Sequence, residues 1–270
     1  MKYLFLFLCL LLTASLSGLE KAPSPWLGNV YEFEPTLAYE HVFDQKIEQK
    51  KHHFSTDFVR AAMQFSPDPD WSTEVELQGT RTFQHHFGFD AARVGARYLW
   101  LNDVIGDCIS LTTGVSIAAI NHSHLHDVSL LHHGRYETEL HAAAGKEFGF
   151  GFFQNGYFHG WLFASVGVAD HSSCWTREEA HLEAILKETH FFDLFLAHEK
   201  GQGSKKLHSV HDFHGYGHID YTLHDLGLRY SYQVRGYGSA YAKIAKRLQA
   251  SNCPKHGLSY EVGVTVPFSF

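Results

Sequence analysis

Histidine supplies the most obvious chemistry in this sequence: 22 of its 270 residues carry an imidazole. His122, His124 and His126 alternate in the run NHSHLHD, so an extended backbone would set them on one side. His208, His211 and His214 form a second cluster. Neutral imidazoles beside Asp127 or Asp212 are ligand types for Zn²⁺ or Cu²⁺. Spacing without geometry is a weak metal signal, and the sequence holds no HExxH motif. The plainer reading is two independent, solvated polar loops with no metal and no cofactor. Such loops become cationic below about pH 6.5.

Charge carries the second pattern. Glu74 and Glu76, Arg93 and Arg97, and Glu137 and Glu139 are spaced so that, on strands, each pair shares a face. Arg60, Glu147, Glu183, Arg229, Lys243 and Glu261 sit in the same phase on their own segments. On the inside of a narrow barrel these groups either line a pore or pair across it as a plug. Both arrangements remain open. Arg93 and Arg97 would face Glu residues on other strands, which would bias the passage of small solutes.

The elements that position these groups follow from period-two alternation. Ala92, Val94, Ala96, Tyr98 and Trp100 oppose Arg93, Gly95 and Arg97; Leu226, Leu228, Tyr230, Tyr232 and Val234 oppose Asp225, Arg229 and Gln233. The phase slips near His224, which predicts a bulge. Arg177 to Leu186 is rich in helix formers but alternates, and is read as a strand. A soluble sandwich also alternates. Strands of about ten residues, small or charged residues opposite the apolar face, and aromatics at strand ends favour a membrane barrel.

Short links at 66–70, 102–106, 154–156, 187–190 and 235–238 alternate with mostly longer ones at 46–53, 85–88, 121–134, 170–176, 200–214 and 250–257. The expected fold is therefore all-β: one transmembrane, antiparallel, up-and-down barrel of about twelve strands, with ten or fourteen as alternatives. Residues 1–17 read as a signal peptide, with Lys2 before an apolar run, and 18–270 as the barrel. No later run is long and apolar enough for a transmembrane helix. A net charge of -7 does not suggest a nucleic-acid partner. Cys108, Cys174 and Cys253 allow at most one disulfide in the mature chain.

The ending YEVGVTVPFSF places Tyr260, Val262, Val264, Val266, Phe268 and Phe270 on one face. It resembles the C-terminal signal of Gram-negative outer-membrane β-barrel proteins, which the barrel-assembly machinery reads. That resemblance implies an outer-membrane location, contact with its lipids, and a porin-like or structural envelope role with small solutes as possible partners. The alternative is a lipid hydrolase. Outer-membrane phospholipases and lipid A deacylases resemble the stretch His171–Ser172–Ser173 in placing His two residues before Ser, which would make His171 and Ser173 catalytic. Cys174 stands where those enzymes usually carry Asn.

Overall fold

The computed structural model describes residues 22–47, 53–149, 156–170, 174–207 and 213–269. Residues 1–17, His171, Ser173, His208, His211 and Phe270 lie outside them. The strands are β1 (Glu32–Gln45), β2 (Phe54–Asp68), β3 (Trp71–Arg81), β4 (Gly88–Leu101), β5 (Ser110–Ile120), β6 (Tyr136–Gly149) and β7 (Gly156–Ala169). They continue as β8 (Trp175–Leu186), β9 (His190–Gln202), β10 (Asp220–Val234), β11 (Gly238–Ser251), β12 (Leu258–Thr265) and the short β13 (Phe268–Ser269).

Each strand from β1 to β12 pairs antiparallel with its neighbours, and β12 returns to pair with β1 through Thr36–Thr265 to Phe43–Leu258. The sheet is a closed twelve-stranded barrel with β13 appended to β1. Closure satisfies every edge, the condition for crossing hydrocarbon with strands. No helix among the described residues is long and apolar enough to cross a membrane.

Alternation sorts the faces as expected. Leu140, Leu162, Leu182 and Val262 are each more than half exposed on the outer wall, while Glu137, Phe163, His181 and Glu261 are buried inside. β8 is strand throughout, so the pleat and its neighbours override the helix propensity of Arg177–Leu186. The bulge falls between His224 and Asp225, where the phase slips. The last strand is not continuous. β12 ends at Thr265, and pairing resumes at Phe268 beyond Pro267, which has no N–H for the ladder.

Candidate functional site: the lumen and its two plugs

The barrel has a turn end, where the short links and the start of β1 lie, and a loop end. Residues 22–28 enter the turn end and line the lumen there. Ala22 is buried against Ala143, Trp161 and Phe163. Trp26 stacks on His159 at 4.1 Å, and its indole N–H donates to Asp103 Oδ1 at 3.0 Å. Arg97 donates to the Ser24 carbonyl at 3.0 Å. Asp103 also accepts from Ser110 and from the Glu147 amide. Desolvation pushes its carboxyl up, but these donors outweigh it and hold it below the usual carboxylate range.

The loop end is closed by the connection 121–135, which turns inward instead of standing in solvent. Val128 and Leu130 are 0% and 1% exposed, Leu130 beside Val42 and Phe58. The connection is fastened by histidines. His124 Nδ1–H and His132 Nε2–H both donate to Asp90 Oδ1, at 2.7 and 2.9 Å. The other Asp90 oxygen accepts from Gln78 at 2.6 Å and Thr80 at 2.8 Å. Asp90 is fully buried, and these four donors offset its desolvation.

His133 lies flat on Trp175 at 3.8 Å. Its Nε2 is 2.6 Å from Tyr221 Oη, and Tyr221 gives its one hydroxyl proton to Glu199, so His133 is the donor. Trp175 fits there because Gly167 beneath it has no side chain; a Cβ would fall 2.0 Å from the indole. In the next long connection, residues 213–219 also turn inward and meet the first at Gly215. Its φ of 91°, with the His132 and His133 carbonyls 3.1 and 3.2 Å from any added Cβ, admits only glycine without strain. Tyr216 is fully buried and donates to the Val128 carbonyl at 2.7 Å.

This placement corrects two sequence expectations. NHSHLHD is a 3₁₀ turn, His122–His126, not an extended segment. His124 therefore points in to Asp90, while His126 meets the other cluster, its Nδ1 lying 2.9 Å from His214 Nδ1. The two His-rich connections thus meet at His126 and His214, with His124 buried while His122 and His214 stay exposed. The His126 Nδ1 proton is already directed at the Phe213 carbonyl, 3.0 Å away. Among the described residues no set of three ligand-type side chains is placed to hold a metal ion.

Between the plugs run two cavities. One, of about 410 Å³, lies toward the turn end; the other, of about 120 Å³, lies under Leu130, Leu131, His132 and His133. They share Arg60, Glu76, Arg93, Glu139 and Arg177, which form a charged waist. Of the charges expected inside, Glu74, Arg97, Arg229 and Glu261 line the larger cavity and Glu137 the smaller. Lys243 pairs with Glu40 and Glu261 beside Arg60. Glu147 and Glu183 are further down, either side of His159 at 3.3 and 3.1 Å. So the lumen is partly salt-bridged and partly polar cavity.

Sequence reading missed the partners of Asp90, His132 and His133, because they lie on distant segments of the chain. It also missed Trp26, whose role depends on chain that folds back into the barrel.

No protein-family model and no curated protein sequence matches the chain. Solved structures do. An outer membrane channel from Pseudomonas putida F1 superposes with a TM-score of 0.62 at 13% identity, covering 92% of this chain and all (100%) of the other. The NanC porin gives 0.51 at 8% identity, covering 87% and 98%. At such identities the likeness is one of fold. The fold and the outward apolar wall define a transmembrane β-barrel of the outer-membrane type.

Proposed function

We propose that this protein is a porin-like channel of the bacterial outer membrane, passing small polar solutes through a lumen closed at both ends in the conformation described. The observation that carries this reading is the pair of polar cavities meeting at the waist of Arg60, Glu76, Arg93, Glu139 and Arg177. A purely structural barrel has no need to keep such space, because unfilled polar volume forfeits packing. The outer-membrane folds it resembles support the location. In that location the outward face meets lipid, the terminal strand is the feature for the assembly machinery to read, and residues 1–17 serve as the export signal. The loop end faces outward and residues 22–30 act as the inner plug.

The test is solute flux. Proteoliposomes carrying the purified chain are expected to swell in isotonic small sugars or amino acids and to remain unswollen in large oligosaccharides. Swelling no faster than empty liposomes for every solute overturns the channel reading.

A further inference from the structure

Two neighbouring strands repeat one motif on the lumen wall. His159 on β7 is directly opposite Glu183 on β8, and one pleat on, Trp161 is opposite His181. Each imidazole lies flat on an indole. His159 stacks on Trp26 at 4.1 Å with 19° between the planes, and His181 on Trp161 at 3.6 Å with 8°. Each imidazole also meets a carboxylate at both nitrogens. His159 Nδ1 lies 3.1 Å from Glu183 and its Nε2 3.3 Å from Glu147. His181 Nδ1 lies 3.1 Å from Asp193 and its Nε2 2.9 Å from Glu179.

That geometry sets what the rings carry. An ionised carboxylate accepts hydrogen bonds and has none to donate, while a neutral imidazole has a single N–H. Both contacts are satisfied together only when the ring holds both protons. The doubly protonated ring is also a cation on the face of a Trp, an attraction that the neutral ring lacks.

The two copies differ in what they fasten. The His181 side chain is 2% exposed, and its indole belongs to the barrel wall. The His159 side chain is 15% exposed, and its indole belongs to residues 22–28. The wall is shaped to seat that segment: a Cβ on Gly145 of β6 would fall 2.8 Å from Pro25 and 2.9 Å from Trp26. The charged groups facing His159 are Glu147 from β6 and Glu183 from β8. Asp193 of β9 stands opposite Glu183, Asp103 accepts the Trp26 indole N–H, and Tyr157 meets the imidazole edge-on at 5.2 Å from the same strand.

We infer that His159 is an acid-closed lock on the inner end of the lumen: with both protons it holds Trp26, and so residues 22–28, inside the barrel, and on losing one it releases them. This rests on the channel reading and adds its regulation. The sign follows from the contacts. A neutral His159 leaves Glu147 or Glu183 facing a lone pair and takes the charge from beneath the Trp26 ring. Neither loss touches the strand ladder, so the segment loosens while the barrel stays. Imidazole is the side chain whose charge changes across mild acid and neutrality.

The experiment is hydrogen exchange at the backbone amides of residues 22–28, in the full chain reconstituted into liposomes. It runs from about pH 5.5 to about pH 8.5, corrected for intrinsic rates. Exchange is expected to rise several-fold across that range in the parent. His159→Gln, which carries no charge at any pH, is expected to exchange at one fast rate throughout. Glu183→Gln, whose amide can donate to the bare nitrogen of a neutral ring, is expected to flatten the rise with Trp26 still seated, so the inference does not hang on one variant folding. Swelling in small sugars, measured on Asp90→Asn chains so that the outer connection does not limit it, is expected to follow the same course. Exchange that is flat or faster in acid, or a rise unmoved in both variants, overturns the lock and leaves the channel standing. Swelling indifferent to pH while exchange rises overturns the control of passage. Exchange that rises with pH, with no swelling from any form, overturns the channel reading and leaves His159 as a pH-dependent fastening.

Discussion

His132 Nε2 lies 2.9 Å from Asp90 Oδ1, which ties an inward-folded connection to the barrel wall inside the mouth. His124 shares the same oxygen at 2.7 Å. Removing one partner of a buried, hydrogen-bonded charge costs about 3–5 kcal/mol, largely because the other is stranded. Asp90→Asn is therefore expected to free residues 121–135 without dissolving the barrel, whose ladder it does not touch. Amide hydrogen exchange should accelerate on the order of 100-fold in that connection and stay unchanged in β4 and β6. Unchanged exchange in 121–135 would show that Asp90 does not hold it.

The latch also carries a pH sign. His132 is buried, which by itself lowers its pKa. Asp90, through charge and hydrogen bond, and Glu137 outweigh that burial and the opposing Arg93, so the pKa is raised above its ordinary 6.5. His124 competes for the same Asp90 oxygen. A raised folded-state pKa means the charge contribution is complete below about pH 6.5 and is lost as pH rises through the higher folded value. Exchange in 121–135 is therefore expected to be slowest in mild acid and to rise as pH climbs above neutrality, after correction for intrinsic rates. His132→Gln should flatten that dependence. A connection that loosens on acidification would contradict the assignment.

The cysteines report the outer plug independently. Cys253 is 3% exposed in the apolar cluster with Tyr216, Tyr221 and Leu223, and burial pushes its thiol up to about 12. Cys108 is exposed at the turn end. Only thiolate reacts quickly, so at pH 7.5 a water-soluble maleimide is expected to label Cys108 within minutes and leave Cys253 protected until denaturation. Mass spectrometry of the peptides checks this. Equal labelling of the two would mean the loop end is open.

Much of the frame is visible in the sequence because one physical rule repeats around it. Val94, Leu140 and Leu226 face lipid and Arg93, Glu139 and Arg229 face inward, since a strand has only two sides. The sequence shows the bulge at His224 as a slip in that rule. What it does not show is how connections fold. Whether His124 stands in water or turns to Asp90 depends on a 3₁₀ turn and on a carboxylate 34 residues earlier. No local period encodes that pairing. Glu74 and Glu139 were both expected inside, but what stands between them, Gly95 and Ser116, belongs to the register of the closed sheet.

Trp26 fastens the inner plug through its stack on His159 and its bond to Asp103. An aromatic stack adds about 0.5–1.5 kcal/mol beyond burial, and a net hydrogen bond about 1 kcal/mol. Trp26→Ala is expected to loosen residues 22–30 and raise solute flux into proteoliposomes by several-fold, with the barrel's melting behaviour nearly unchanged. Flux equal to that of the parent would show that residues 22–30 do not limit passage.

Paired single-channel recordings of the unaltered protein and Asp90→Asn bear most directly on the central claim, a solute passage closed by a latched outer plug. The expected record is brief, infrequent openings for the parent and the same step size for the variant, with open time increased at least tenfold. Bilayers into which both proteins have inserted and which show no discrete steps from either would contradict it.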